Sequence, residues 1–310
     1  MRGFHLIPAN FDLKLIGKRK IFFSISITLI VLAIGAFLFK GLNYGIDFKG
    51  GTLIEIRLEN KNIEVSKLRE SLKEINLGDI NVKNFGEKGD FLIKVEKKLN
   101  NNESLISEIK TSLNSTLNEE INYRRIESVG PKVSSELLKS GIISIGLALL
   151  MMLFYIWFRF EWQFSLGSII ALFHDIVLTL GIFSALSIEI NLSIVAAVLT
   201  IVGYSMNDTV VIYDRIRENL SKYNKLEINN ISNLSVNETL SRTLITSVTT
   251  LLALFSIFIL GGEILKGFSF AMILGVIIGT YSSIFVASPV LKYLKVSHKT
   301  LEKKEEKIVP

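Results

Sequence analysis

Residues 190–213 read INLSIVAAVLTIVGYSMNDTVVIY, twenty-four positions with a single charge, that of Asp208. Coiled at 1.5 Å per residue, the stretch is about 36 Å long. A hydrocarbon core needs about 20 predominantly apolar residues to be crossed, so the stretch reads as a membrane span. Five others resemble it, at 21–39, 141–158, 164–188, 244–260 and 268–291. The first follows Lys18-Arg19-Lys20. At 19 residues it exceeds the roughly 7–15 apolar residues of a cleaved signal peptide, and it reads as an uncleaved anchor.

The charge distribution agrees. The 310-residue chain is 49% hydrophobic and 21% charged, and 31 of its 64 charged residues lie within positions 41–138. An ordinary soluble globule distributes its charge over its whole length. This chain is a polytopic membrane protein that carries one polar domain between its first two spans. The expected layout is an N-terminus at 1–20, helix 1 at 21–39, an external domain at 40–138, helices 2–6 within 139–292 with a loop at 214–240, and a tail at 293–310.

Lys and Arg in the short connections set the expected orientation. Five lie within residues 1–20, four within 215–225 and six from Lys292 onward, against none in 187–191 and one, Lys266, in 261–267. Positively charged connections stay in the cytoplasm, which puts both termini there and the polar domain across the membrane. Because the net charge of +6 sits beside spans, it is a topology signal and not a nucleic-acid patch.

Within the polar domain, residues 52–58 alternate as a strand. Val65, Leu68, Leu72 and Ile75 share one helical face. Residues 80–85 and 91–95 alternate around Gly86-Glu87-Lys88-Gly89, Leu105, Ile109, Leu113 and Leu117 repeat at helical spacing, and 121–128 closes as a strand. The order βαββαβ is the split, ferredoxin-like α+β arrangement. It leaves a sheet face and edges open for contact with another chain.

Several chemistries are excluded. There is no cysteine, and only His5, His174 and His298 carry imidazoles, so thiolate catalysis and Cys- or His-rich metal sites fall away. No Gly-x-Ser-x-Gly, His-Glu-x-x-His or Walker loop is present. No nucleotide, metal or other cofactor is expected, and work must draw on a gradient or a partner.

Ionisable groups inside spans are the informative residues, because each costs roughly 2.5–3.5 kcal/mol at a helix centre on insertion scales. Asp208, beside Asn207, lies five residues from the end of its stretch. Burial disfavours a charged carboxylate and makes the neutral acid accessible near neutral pH, as a proton carrier requires. A helix-packing residue hydrogen-bonded with Asn207, or one wet at the interface, fits the spacing equally. Arg242, at the mouth of the fifth span, either pairs with Asp208 or snorkels as a positive anchor. His174 and Asp175 are adjacent, about 100° apart on a helix. They serve interhelical hydrogen bonds or a polar relay, not one ligand set. Gly275-x-x-x-Gly279 is a close-packing pattern, and Asp214-Arg215-Ile216-Arg217 reads as a charged interfacial cap.

Longer motifs carry a family resemblance. Tyr44-Gly45-Ile46-Asp47-Phe48-Lys49-Gly50-Gly51-Thr52, Val129-Gly130-Pro131-Lys132-Val133, His174-Asp175, Gly203-Tyr204-Ser205-Met206-Asn207-Asp208-Thr209-Val210-Val211, Asp214-Arg215-Ile216-Arg217-Glu218-Asn219, Ser241-Arg242-Thr243 and Thr246-Ser247-Val248-Thr249-Thr250 occur in this order. They resemble SecF members of the SecD/SecF family of bacterial protein-export membrane proteins, over nearly the whole chain. The resemblance implies the resistance-nodulation-division superfamily, location in the cytoplasmic membrane, and use of the proton gradient to promote late steps of export. It implies SecD as the other half of a heterodimer that supplies a second acidic group, with the SecYEG channel, YajC, lipid and the translocating polypeptide as further partners. Asp208 and Arg242 fall on positions the family associates with proton transport, and Tyr204, Asn207 and Thr209 neighbour that site. Two other readings are a proton-driven exporter of small molecules or lipids, which calls for larger external domains, and a passive scaffold, which needs no titrating acid.

Overall fold

The structure, a computed structural model, describes residues 13–61, 63–73, 80–96, 102–117, 121–223 and 225–300, the side chains of Lys73 and of 102–105 excepted. Ile75, the Leu105 side chain, His5 and the tail beyond residue 300 therefore lie outside the described residues. Among those described, six helical segments are long and apolar enough to cross a membrane. They contain α1 (Arg19–Lys40), α5 (Pro131–Arg159), α6 (Trp162–Ala185), α7 (Leu192–Lys222), α8 (Ile228–Leu260) and α9 (Gly262–Ser282). The last continues through a π-helical stretch, Ser283–Ala287, into α10 (Ser288–Tyr293).

The helices outrun the apolar stretches that identify them. Of the stretch 214–240, expected as a loop, only residues 223–227 lie between helices, because α7 runs on to Lys222 and α8 starts at Ile228. These extensions are held together by polar contacts instead of lipid. Arg215 bonds Glu238 (2.6 Å) and Glu218 (2.5 Å), and Asn219 donates to Ser235 (2.9 Å) and Glu238 (2.7 Å). Similarly, α5 begins ten residues ahead of the apolar stretch at 141, with Pro131 in its first turn, where a missing N–H costs nothing.

Three helices form the inside of the bundle. The most apolar windows of α6, α7 and α9 are 61%, 50% and 67% buried, whereas those of α1, α5 and α8 are 11–17% buried and form the periphery. Glycines set the spacing. A methyl on Gly275 would lie 2.2 Å from Ile201 and one on Gly279 2.9 Å from Ser205, so this pair lets α9 approach α7 closely.

The polar domain is built from β2 (Gly51–Leu58), α3 (Val65–Lys73), β3 (Ile80–Asn84), β4 (Asp90–Val95), α4 (Asn102–Leu117) and β5 (Ile121–Val129). Its antiparallel sheet has the order β3-β4-β2-β5, the expected split βαβ topology. Ile54, Ile56 and Leu58 alternate inward onto Leu68, Leu72, Ile109 and Leu113, all at most 2% exposed. Each such side chain contributes about 1.5–3 kcal/mol by leaving water.

The opposite face of the sheet is charged. A bulge between Glu55 and Ile56 leaves Arg124 outside the β2–β5 register, which aims its guanidinium at Asp90 (3.4 Å) and Glu55 (3.8 Å). Asp90 also receives Arg57 at 2.5 and 2.6 Å. This face looks down on the helix ends across a cavity of about 730 Å³ lined by Leu53, Leu92, Arg125, Ile188, Leu192 and Ile264.

Three short elements have no counterpart in the sequence reading. Between α1 and β2 lie a strand β1 (Asn43–Tyr44) and a helix α2 (Ile46–Lys49), and the α6–α7 connection holds β6 (Glu189–Ile190). β1 and β6 pair in parallel.

Candidate functional site: a polar layer inside the helix bundle

Asp208 follows Leu192 on α7 by sixteen residues, about 24 Å along the axis at 1.5 Å each. Its side chain lies within the span, five residues from the far end of the apolar stretch, and the residue is only 4% exposed. Among the described residues it forms no ion pair, and its Oδ2 has no hydrogen-bond partner. The Tyr204 hydroxyl, one turn away on α7, and the Thr243 hydroxyl of α8 are likewise buried without partners. Three orphaned polar atoms thus lie on two neighbouring helices, where buried groups are ordinarily satisfied.

Among the described residues Arg242 forms no ion pair with Asp208. It is exposed and lines a cleft of about 410 Å³ with Tyr155, Arg159, Asp214, Arg215 and Glu218 at the end of the α5–α7–α8 groove. Asn207 is also exposed, and among the described residues Asp208 Oδ2 takes no hydrogen bond from it.

Thr209 belongs to the interior. Its hydroxyl meets Ser283 Oγ at 2.8 Å, and Ser283 Oγ donates to the Gly279 carbonyl at 2.9 Å. Ser283 opens the π-helical stretch of the last span, and Tyr213 donates to the Ala287 carbonyl at its end (3.0 Å). A π-turn offers carbonyls that an α-helix keeps for itself, and such turns concentrate at functional sites.

His174 and Asp175 form the other half of the layer, 1% and 0% exposed. Asp175 Oδ2 accepts from Ser205 of α7 (2.6 Å) and Ser282 of α9 (2.8 Å), while Oδ1 lies 2.9 Å from His174 Nδ1. The imidazole stacks on Tyr281 with ring centres 6.0 Å apart, and its Nε2 has no partner among the described residues. Asp175 therefore ties three helices together. It also reaches the Asp208 neighbourhood through Ser205, Ser283 and Thr209, since Ser283 Oγ is 3.4 Å from the Ser205 carbonyl.

Ser282, Ser283 and Thr280, which pairs with Ser247 (2.8 Å), escaped the sequence reading, and Ser205, Thr243 and Ser247 entered it only as motif residues without a role, because lone hydroxyls in apolar helices are ordinarily satisfied by their own i−4 carbonyl. The clustering of Thr280, Ser282, Ser283 and Ser288 in one span was the available signal. Among the described residues no group of three His, Cys, Asp or Glu could hold a metal.

Two family profiles match this chain. One, described as the SecD/SecF GG motif, covers residues 35–61, and one described as protein export membrane protein SecD/SecF, C-terminal, covers residues 108–297. The chain belongs to the SecD/SecF family. Proteins named protein translocase subunit SecF from Rickettsia felis and Rickettsia akari are each 44% identical, over 92% of this chain and 93% of the former, and over 96% of this chain and 98% of the latter. Another so named, from Cereibacter sphaeroides, is 40% identical over 94% of this chain and 92% of that protein. A crystal structure of SecDF, a translocon-associated membrane protein from Thermus thermophilus, superposes with a TM-score of 0.83 at 34% identity, over 94% of this chain. A SecDF structure in a super-membrane-facing form matches over 97% of this chain and 41% of that one, with a TM-score of 0.65 at the same 34% identity. This chain spans about 40% of the Thermus SecDF chain. Six apolar spans in a SecD/SecF family member make it a multi-pass protein of the bacterial inner membrane.

In family terms, the Gly50-Gly51 pair of the GG motif has a plain structural cause. Both residues have positive φ, +78° and +126°, and a methyl on Gly51 would lie 2.5 Å from the Val95 carbonyl of β4.

Proposed function

We propose that this chain is the SecF-type half of a bacterial protein-export complex, in which reversible protonation of Asp208 lets the proton gradient drive late steps of polypeptide translocation. The observation that carries the reading is a nearly buried carboxylate with an unpartnered oxygen, about 24 Å into a span, in a SecD/SecF family member. A membrane carboxylate held only for packing would have its oxygens satisfied, as those of Asp175 are.

SecD joins along the open side of α7. There Ala196, Thr200, Gly203 and Asn207 form an exposed stripe of small or polar residues beside Asp208, and a methyl on Gly203 would meet nothing. Small residues at such a stripe allow close helix approach, and threonine and asparagine supply hydrogen bonds across it. SecD contributes a second acidic group there. Arg242 restrains the ionised Asp208 through its field, and protonation of Asp208 removes that restraint, shifting α7 and α8 against SecD. Tyr204, Asn207 and Thr209 line the site, and the His174–Asp175 pair is its inner buttress.

Both termini are cytoplasmic and the sheet domain is extracytoplasmic, where it meets the emerging polypeptide; the SecYEG channel and YajC complete the assembly. One charge crossing 100 mV carries about 2.3 kcal/mol, enough to shift a two-state equilibrium by tens of fold. The chain acts as a transport subunit and not as a catalyst.

The test is Asp208→Asn in the complete complex. Gradient-dependent export is lost while copurification with SecD persists. An Asp208→Asn complex that exports at the normal rate under a proton gradient refutes the reading. A small-molecule or lipid exporter is distinguished by the absence of Sec partners on copurification.

A further inference from the structure

The segment between α1 and β2 is fastened to the α6–α7 turn from Gly41 to Phe48. Ser184 Oγ donates to the Gly41 carbonyl (2.7 Å), Asn43 Nδ2 to the Ser187 carbonyl (3.0 Å), and Gly45 N–H to the Ile190 carbonyl (2.8 Å), beside the β1–β6 pairing of Asn43 with Glu189 and Tyr44 with Ile190. Asp47 then reaches the first amide of α7. Its Oδ2 accepts from Leu192 N–H at 2.9 Å, while Asn191 caps Ile194 N–H from within the turn at 3.2 Å. A carboxylate from 145 residues away thus serves as an N-terminal cap of the helix that carries Asp208. Negative charge at that end complements the helix dipole, and the bond is of the charge-assisted kind.

The next residue, Phe48, is 7% exposed and packs in a cluster with Phe183, Ile190, Ile194 and Ala197, at the outer end of α7. Three residues further on, the chain enters β2 at Gly51, the strand hydrogen-bonded to both β4 and β5. Lys94 of β4 closes a second tie by pairing with Glu189 of β6. From the α7 N-terminus to the middle of the sheet there is no stretch without hydrogen bonds or packing. Tightly packed junctions of this kind move as units instead of deforming.

We propose that Asp47 is a positioning residue that makes the β1–α2 segment a rigid strut, by which displacement of α7 is transmitted to the sheet domain. A shift of α7 along its axis must either break the Asp47–Leu192 bond or carry α2, and with it β2, along. This inference rests on the proton-driven reading of Asp208 and adds the path by which it reaches the outside.

The experiment uses the full chain in its complex with SecD and the export channel, in vesicles with an imposed proton gradient. Asp47→Ala is expected to lower gradient-dependent export at least tenfold, while gradient-dependent thiol labelling of a Ser221→Cys reporter, at the exposed C-terminal end of α7, persists. Asp47→Asn, which retains a capping oxygen, restores most of the export. The chain has no cysteine, so Asn43→Cys with Glu189→Cys forms a defined disulfide across β1 and β6. A rigid strut tolerates this lock, and the lock rescues Asp47→Ala. Normal export by Asp47→Ala overturns the proposal, as does arrest of export by the disulfide but not by the same two cysteines reduced. Asp208→Asn, measured in parallel, separates the two ideas. If it abolishes export while Asp47→Ala does not, only the strut is wrong, and if it exports normally both fall.

Discussion

Replacing Asp175 by alanine measures what the inner polar layer contributes. The carboxylate is fully buried and holds Ser205 at 2.6 Å and Ser282 at 2.8 Å, two bonds to two other helices. In a soluble core, breaking a buried charged pair costs about 3–5 kcal/mol. Inside a bilayer the unfolded reference is itself helical and finds other partners, so interhelical bonds average about 0.6 and reach at most about 1.7 kcal/mol each. Ser282 also has a fallback, since its hydroxyl is already 3.1 Å from the Gly279 carbonyl. The expected loss for Asp175→Ala is therefore about 1–3 kcal/mol, with Asp175→Asn costing less because one acceptor oxygen survives. Reversible unfolding in bicelles, with a double-mutant cycle against Ser205→Ala, reads this directly. The coupling between the two positions should be about 0.5–1.7 kcal/mol. A coupling indistinguishable from zero, or a stability equal to that of the unaltered chain, would refute the view that Asp175 clamps α6 to α7 and α9.

Two further outcomes concern the sheet domain. Gly51→Ala places a methyl 2.5 Å from the Val95 carbonyl, at φ +126°, whereas a methyl on Gly50 meets the Val129 carbonyl at 3.3 Å. Strained backbone costs about 1–3 kcal/mol on its own. Hydrogen exchange of the β2 and β4 amides should accelerate more for Gly51→Ala than for Gly50→Ala, and equal acceleration contradicts the close-approach argument. In the same sheet, the Arg57 guanidinium bonded to Asp90 holds that carboxyl below the usual carboxylate range. Because the folded value is the depressed one, the pair's stabilisation is complete above the unfolded carboxylate value of about 3.9 and disappears as pH falls through the lower folded value. Carbon-detected NMR titration of Asp90 should show a midpoint below about 3.9, and a midpoint above it would contradict the pairing.

Much of the fold is legible in the chain because membrane and sheet periodicities are strong local signals. Uncharged runs such as 141–158 mark the spans, and the inward alternation of Ile54, Ile56 and Leu58 marks the strand. Local signals fail where polar contacts with other elements replace lipid. The helical extensions through Asn219 and Glu238 carry charge and therefore resemble a loop in sequence. The two-residue strands β1 and β6 are too short for any periodicity, and each exists only because the other lies beside it.

The candidate site divides in the same way. Asp208, His174 and Asp175 stand out in the sequence because ionisable groups in apolar spans are rare, which is a property of composition alone. Which of them has satisfied oxygens is a property of three helices at once. Asp175 is answered by Ser205 and Ser282 and becomes a clamp, while the Asp208 Oδ2 and the Tyr204 hydroxyl lack partners among the described residues. Likewise, the Asp47-to-Gly51 motif is visible as letters, but its use as a cap for α7 depends on a contact spanning 145 residues. Burial of hydrophobic length is decided locally along a chain. Satisfaction of a buried polar atom is decided by whatever the fold brings within about 3 Å of it, and that is set only once the helices have packed.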